Sequence, residues 1–444
     1  MNNNFDTIVA IITPLALSAV GIIRISGEKA FEIAQKIFDK KIKPKMINYG
    51  HIKDGENVLD EVILLPFKAP NSYTGEDVVE IQTHGSLVIL NSVLELILSL
   101  GARMAQKGEF TKRAFLNHRI DLSQAESVMD IIEAKSQKAA QDSLSNLGGY
   151  LKEKTNEIKN NLVELYSRLI AAIDFPEDVK EVDTKAVVSI CSDNILKIEE
   201  ILNNSKSHNF IRDGISACLI GKPNVGKSSL FNSLLNYQRA IVTQIEGTTR
   251  DTIKETLNLG GYLVNFIDTA GIRDKNKADL VEQIGIDNSI ETIKNSQIVL
   301  FLFENSLNEI EPELIELAKD KKAIFVHTKS DLNPEIIENA INISTKDNNS
   351  ISNLKDEILK VVKELIPQET SYTTNKRQQD CFLKCLNSLK MVLKTAVEPN
   401  FFDDCADLYT LDLKQAIIEL DEITGEVLTD KILDNIFENF CIGK

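Results

Sequence analysis

The chain has 444 residues, 43% hydrophobic and 26% charged, a length that asks for about three domains rather than one core. Acidic residues outnumber basic ones 66 to 50, and the formal charge of −16 excludes a surface built to coat nucleic acid, although a local basic face would not show in the total. Six cysteines and five histidines are scattered without a zinc-like spacing, so reduced, mostly buried thiols are expected.

The longest apolar stretch, Thr7 to Ile23, is preceded by Asp6 and interrupted by Thr13, Pro14 and Ser18. It fits neither a secretory signal nor a membrane span of about 18 or more apolar residues. It reads as two buried strands around a turn at Pro14, in a cytoplasmic protein with no membrane association. Short β-rich runs at Val20–Ile25, Val62–Pro66 and Val78–Gln82, with a helical pattern from Ser86 to Leu100, predict a compact α/β domain over 1–118. From Leu122 the apolar residues Ala125, Val128, Met129 and Ile132 recur at helical spacing, and 119–212 reads as helical. Gly148-Gly149 is placed to break that run, and Pro176 to end a later helix.

Over 213–366 the rhythm changes. Strand-like runs (Ile215–Ile220, Leu263–Ile267, Ile298–Phe303, Ala323–His327, Ile341–Ile343) alternate with helical stretches, which predicts a mostly parallel sheet with helices on both faces. Gly260-Gly261 predicts one hairpin, hence one antiparallel edge strand. Residues 367–444 return to helix. The fold class is therefore α/β plus all-α, with a nucleotide-binding domain inserted into a helical one.

GKPNVGKSS, Gly221 to Ser229, follows an expected strand and opens an expected helix, the context a phosphate loop requires. Its glycines let successive backbone N–H groups curl around a phosphate, and the helix N-terminus adds positive potential. Lys227 is expected to reach the β- and γ-phosphates, and the Ser228 hydroxyl to ligate magnesium. Asp268, ending a hydrophobic run in IDTAGIRD, can hold the magnesium shell through water, and the Gly271 N–H can meet the γ-phosphate. HTKSD, His327 to Asp331, selects the base: a carboxylate at Asp331 accepts the N1–H and exocyclic amine of guanine, and the stem of Lys329 can cover the ring. Asparagine usually opens this pattern. Thr328 stands here instead, and the replacement is expected to lose an amide tie to the phosphate loop. Ser344-Thr345-Lys346 is placed to supply remaining base contacts. In many GTPases a glutamine after Asp-Thr-Ala-Gly orients the attacking water. Here it is Ile272, which can do nothing of the kind.

GKPNVGKSS, IVTQIEGTTRD, IDTAGIRD and VEQIGI, together with YTGEDVVEIQTHG, GEFTKRAFLN, AAIDFPED and the terminal FCIGK, resemble the MnmE (TrmE) family of tRNA modification GTPases, within the TrmE-Era-EngA-like superfamily. The likeness runs through essentially the whole chain. It implies an N-terminal α/β domain that is folate-binding-like and dimerises (1–118), a helical domain in two parts (119–212 and 367–444), and an inserted Ras-like GTPase domain (213–366). The nucleotide contacts it implies are Asn224, Val225, Gly226, Lys227, Ser228 and Ser229; Thr243, Gln244, Ile245, Glu246, Gly247, Thr248 and Thr249; Asp268, Thr269, Ala270 and Gly271; and Thr328, Lys329, Asp331, Ser344 and Thr345. Magnesium would be held by Ser228 and Thr249. Potassium would be held by Asn224 and by Thr243, Ile245 and Thr248, in place of an inserted arginine, with Glu282 as the catalytic carboxylate that serves the water.

The same resemblance implies a tetrahydrofolate derivative, 5-formyl- or 5,10-methylene-tetrahydrofolate, held by Arg24, Glu80, Arg119 and Lys444. Many members carry lysine where Arg119 stands. Read without the resemblance, Arg24 and Glu80 are ordinary strand-end charges, and Cys441 reads as a small apolar anchor. The implied activity is potassium-stimulated GTP hydrolysis that serves modification of C5 of the wobble uridine of certain tRNAs, with a carboxymethylaminomethyl- or aminomethyl-type product. The implied partners are a second copy in a homodimer, tRNA, and the flavin-dependent protein MnmG in a heterotetramer or larger complex. Two rival readings make different demands. A ribosome-assembly GTPase of the Era kind needs a KH fold with a GxxG loop, but after residue 366 the only glycines are Gly425 and Gly443. A folate-dependent transferase with a regulatory GTPase domain would transfer the carbon without a flavin partner.

Overall fold

Six strands build the first sheet: β1 (Ile8–Ile11), β2 (Ser18–Ser26), β3 (Asn48–Asp54), β4 (Asn57–Phe67), β5 (Val78–Gly85) and β6 (Arg103–Met104). Their spatial order is β3-β4-β5-β2-β1-β6, antiparallel throughout except where β1 meets β6. Helices α1 (Ala30–Ile37) and α2 (Leu87–Ser99) cover one face, setting Ile33, Ile37, Leu90 and Ile97 against Val9, Ile25, Val79 and Ile81. Each such side chain contributes about 1.5–3 kcal/mol by leaving water. The Thr7–Ile23 stretch does form two strands, but 14–20 is exposed rather than buried. The chain reverses between Ile11 and Ser18, held by Ala16 N donating to Pro14 O and by Ile22 N donating to the Thr13 hydroxyl.

The structure is a computed structural model that describes residues 6–175, 177, 183–235, 255–267, 289–334, 336–366, 372–396, 406–427 and 429–444. It divides into two compact units. One comprises Met1–Met129, Asn146–Cys191 and Asn387–Lys444; the other comprises Asp130–Ser145 and Ser192–Leu386. After α3 (Glu109–Leu116) come the long helices α4 (Leu122–Glu133), α5 (Gln137–Leu147), α6 (Tyr150–Asp174) and α7 (Thr184–Asp213). The expected break at Gly148-Gly149 separates α5 from α6, with Gly149 at φ +100°. Within the first unit, Lys159 of α6 lies 2.6 Å from both Asp421 and Glu426, which fastens α6 to helix Ala406–Thr424. Helix Asp430–Phe437 brings Leu433 and Phe437 onto Leu122 and Ala125.

The second unit holds a sheet of β7 (Ile215–Ile220), β8 (Glu255–Leu259), β9 (Tyr262–Phe266), β10 (Ile298–Phe303), β11 (Lys322–His327) and β12 (Ile341–Asn342). The order is β12-β11-β10-β7-β9-β8, parallel except for the β8–β9 hairpin that turns at Gly260-Gly261. All six residues of β10 are buried, as befits a strand covered on both faces. Helix Asn348–Leu365 packs Ile351, Leu354 and Ile358 on one face, while Ile310 and Leu314 pack against Phe301 and Phe303 on the other. Among the described residues no helix is long and apolar enough to cross a membrane.

Candidate functional site

The phosphate loop sits at the carboxyl end of β7, where ligands collect in open α/β sheets. A Cβ on Gly221 would lie 2.4 Å from the Leu302 carbonyl, so only glycine lets the loop leave β7 so close to β10. Asn224 at φ +63° and Gly226 at φ +103° bend the loop back, and α8 (Lys227–Leu235) begins at once. Lys227 Nζ donates to the carbonyls of Gly221 and, at 2.9 Å, Lys222. Burial pushes its amine below the ordinary lysine range. An incoming phosphate reverses that pressure, since an anion beside a desolvated ammonium favours the charged form.

The base end lies at the carboxyl ends of β11 and β12. Lys329, at φ +54°, places Nζ 2.6 Å from Glu304. Asp331 accepts from the Ser344 hydroxyl at 3.0 Å and from Lys346 Nζ at 2.7 Å, and those two partners hold its carboxyl below the usual carboxylate range, Lys346 most strongly. The expectation for Thr328 needs correcting. Its hydroxyl donates to the Val225 carbonyl at 2.7 Å, with the Phe303 carbonyl at 3.2 Å, so the tie to the phosphate loop is kept. Thr328 N also donates to the Phe303 carbonyl at 2.9 Å, continuing the β10–β11 ladder. A cleft of about 210 Å³ joins the two ends, lined by Gly226, Ser229, Thr328, Lys329, Asp331 and Thr345. Thr243, Gln244, Ile245, Glu246, Gly247, Thr248, Thr249, Asp268, Thr269, Ala270, Gly271 and Glu282 lie outside the described residues.

A second constellation forms in the first unit. Arg24 and Glu80 are cross-strand partners of β2 and β5, joined through Nε and Nη2 at 2.8 Å. The buried guanidinium lies 4.9 Å from the centroid of Tyr73 and 5.4 Å from that of Phe110, and Nη1 donates to the Gly443 carbonyl at 3.4 Å. Arg119 donates to the Tyr73 carbonyl at 2.6 Å and lies 5.3 Å from the same ring; Lys444 Nζ lies 5.8 Å from it. Burial, and then the charge of Arg24, push the Lys444 amine down. Burial raises the Tyr73 phenol, whose oxygen pairs with the Thr111 hydroxyl at 2.8 Å. Phe67, Asn71, Tyr73, Val78, Glu80 and Arg119 line a cleft of about 550 Å³. Apolar walls, one carboxylate and a group of cations suit a flat, hydrogen-bonding ring that carries an acidic tail.

The family model "GTP-binding protein TrmE N-terminus" matches residues 7–119, and "MnmE helical domain" matches 122–441. The tRNA modification GTPase MnmE of Thermoanaerobacter pseudethanolicus is 41% identical over 99% of this chain and 100% of its own length. The proteins of that name from Clostridioides difficile (42%; 99% of each chain) and Streptococcus sanguinis (39%; 100% of each chain) are as similar. The chain belongs to the MnmE family of tRNA modification GTPases.

Membership makes it a GTP hydrolase, and the phosphate loop described above belongs to its mostly parallel sheet. The four residues on which the sequence resemblance placed the folate are brought together, although Arg24 and Gly443 stand 419 positions apart. Tyr73, the ring that the three cations share, carries no such signal in the sequence. It lies inside YTGE, but one aromatic residue in a loop carries no periodic signal. Cys441 is exposed and anchors nothing with its sulfur. Its carbonyl does the holding, accepting from Gly108 N at 3.4 Å and Lys444 N at 3.3 Å.

Proposed function

We propose that this MnmE-family GTPase is stimulated by potassium and acts in the cytoplasm as a homodimer with MnmG and tRNA. Together they install a carbon substituent from a reduced folate at C5 of the wobble uridine. Within the nucleotide domain, Lys227 and the loop N–H groups bind the phosphates, Ser228 offers its hydroxyl to magnesium, and Asp331 and Lys329 orient guanine. Asn224 offers its side-chain oxygen to potassium; Thr243, Ile245, Thr248 and Thr249 complete the two ion shells. Glu282 holds the water that Ile272 cannot. When bound, potassium and magnesium supply positive charge where phosphoryl transfer develops negative charge, and the folate carries the carbon.

The fit to a folate rests on the chain's own donors. Glu80 presents a carboxylate to a pterin edge, Arg119 and Lys444 present cations to a carboxylate tail, and Arg24 holds Glu80 in place. Convergence of Arg24, Arg119 and Lys444 on Tyr73, with Glu80 paired to Arg24, in a chain that also carries a complete phosphate loop, is the observation that carries the reading. It joins one-carbon supply to GTP hydrolysis in one polypeptide.

The test is GTP turnover by the full chain in potassium and then in sodium at equal ionic strength, with N224A beside wild type. Potassium should raise the wild-type rate at least tenfold, an effect of the order given by one well-placed charge, and leave N224A unmoved. Equal rates in the two salts remove the cation reading.

A further inference from the structure

Three strand ends of the nucleotide unit meet in one side chain. β11 runs between β10 and β12, and its last residue, His327, stands in register with Phe303 on one side and Asn342 on the other. The imidazole is fully buried and stacks on Phe303 at 5.7 Å between centroids, with 18° between planes. Nε2 lies 2.9 Å from the Glu304 carbonyl. A carbonyl only accepts, so the proton sits on Nε2. Nδ1 lies 2.6 Å from the Asn342 side-chain amide, whose oxygen and nitrogen are interchangeable in shape, and a neutral ring accepts there from the NH₂ group.

Both partners lead into the base site. The Glu304 carboxylate holds Lys329 at 2.6 Å. Asn342 precedes Ile343, whose N–H donates to the His327 carbonyl at 2.8 Å and whose own carbonyl accepts from Ser330 N at 3.0 Å. Ser344 follows, and its hydroxyl holds Asp331 at 3.0 Å. Packing alone would be served as well by phenylalanine in this apolar stack. It leaves unexplained why both ring nitrogens are spent on the two segments that flank the base.

We propose that His327 is a positioning residue for guanine recognition: by tying the Glu304 carbonyl to the Asn342 amide, it sets the spacing between Lys329 and Asp331. The inference rests on the reading of Asp331 as the carboxylate that selects guanine. A loosened Asp331 forfeits its two-point grip on N1–H and the exocyclic amine. Hypoxanthine, which lacks that amine, has less to lose.

The test is competitive binding of GDP and IDP to the full-length chain, comparing wild type with H327F and H327Q. H327F keeps the stack on Phe303 and removes both hydrogen bonds. GDP affinity should fall about tenfold and IDP affinity about twofold to threefold, in proportion to the buried hydrogen bonds lost, so the preference for GDP narrows about threefold to fivefold. H327Q, which retains a donor for Glu304, should recover part of the preference. N342A leaves the ring in place and reads the same ratio if H327F does not fold. Equal losses for GDP and IDP, or none, in a protein whose wild type prefers GDP overturn the inference alone. A wild-type preference near one overturns the base-selecting reading of Asp331, and the inference with it.

Discussion

The Thr328 hydroxyl donates to the Val225 carbonyl at 2.7 Å, a bond that runs from the His327–Asp331 segment to the phosphate loop. Thr328 is buried, so neither end of this bond has water as a substitute. T328V keeps the shape and deletes the donor. It should weaken GDP binding by about 5- to 30-fold, the equivalent of about 1–2 kcal/mol for a buried acceptor left unpaired. T328S should stay within about threefold of wild type, because the hydroxyl survives. Isothermal titration with GDP measures both; an unaltered T328V would show the tie to be idle.

Asp331 is kept ionised by Lys346 and Ser344. D331N replaces an acceptor with a group that also donates. GDP affinity should drop about 100-fold or more, as when a site built to pair with a ligand's N–H groups loses its partner. Xanthosine diphosphate, with a carbonyl where guanine has the amine, should gain affinity over the wild type. Nucleotide competition on the purified chain reads both changes, and retention of guanine preference in D331N would move base selection elsewhere.

Arg24 is buried, and Glu80 is the carboxylate that pairs with it. E80Q leaves that charge without a counterion and should cost about 1–3 kcal/mol of stability, seen as a lower urea midpoint. Binding of 5-formyl-tetrahydrofolate, followed by equilibrium dialysis, should fall at least tenfold, about the worth of one charge-assisted hydrogen bond. R119K, which keeps the cation but not the bond geometry to the Tyr73 carbonyl, should fall less. Undiminished folate binding by E80Q would separate the cleft from the one-carbon chemistry.

His84 and Asp60 supply a pH-dependent element on the first sheet. Asp60 accepts from both His84 N–H and Nδ1 at 2.7 Å, and that side-chain bond raises the imidazole above its ordinary value of 6.5. A raised folded-state pKa stabilises the fold fully below about pH 6.5, and the contribution fades as pH climbs through the higher folded value. D60N should return His84 to the ordinary range and flatten that part of the stability profile. Proton NMR titration of the His84 ring gives the shift directly; an unchanged midpoint in D60N would assign the effect to another neighbour.

Much of the fold was legible because burial on both faces writes continuous apolar runs. Ile215–Ile220 and Ile298–Phe303 are strands with the bounds their composition suggests. The β3 hairpin strand escaped notice. In NYGHIKD the buried positions are Asn48, Gly50 and Ile52, of which only isoleucine carries an apolar signal. The phosphate loop was readable from spacing because its chemistry is made by backbone curvature, which glycine positions encode. Thr328 was misjudged because residue identity was compared where reach and hydrogen-bonding capacity decide. Tyr73 and His327 stayed hidden for a shared reason: each acts through neighbours brought together by the sheets, and no local pattern records them.

The cleft around Tyr73 also has a schedule. Its cation Arg24 and the Gly443 carbonyl it contacts stand 419 residues apart in the chain, with the Lys444 ammonium next in sequence to that carbonyl. At synthesis rates of about 5–20 residues per second, about 20 to 80 seconds separate the two ends at the ribosome. The β2 side of the cleft is thus made well before the residues that complete it, with the phosphate loop made in between. A nascent chain would carry its phosphate loop before Arg24 could meet the Gly443 carbonyl.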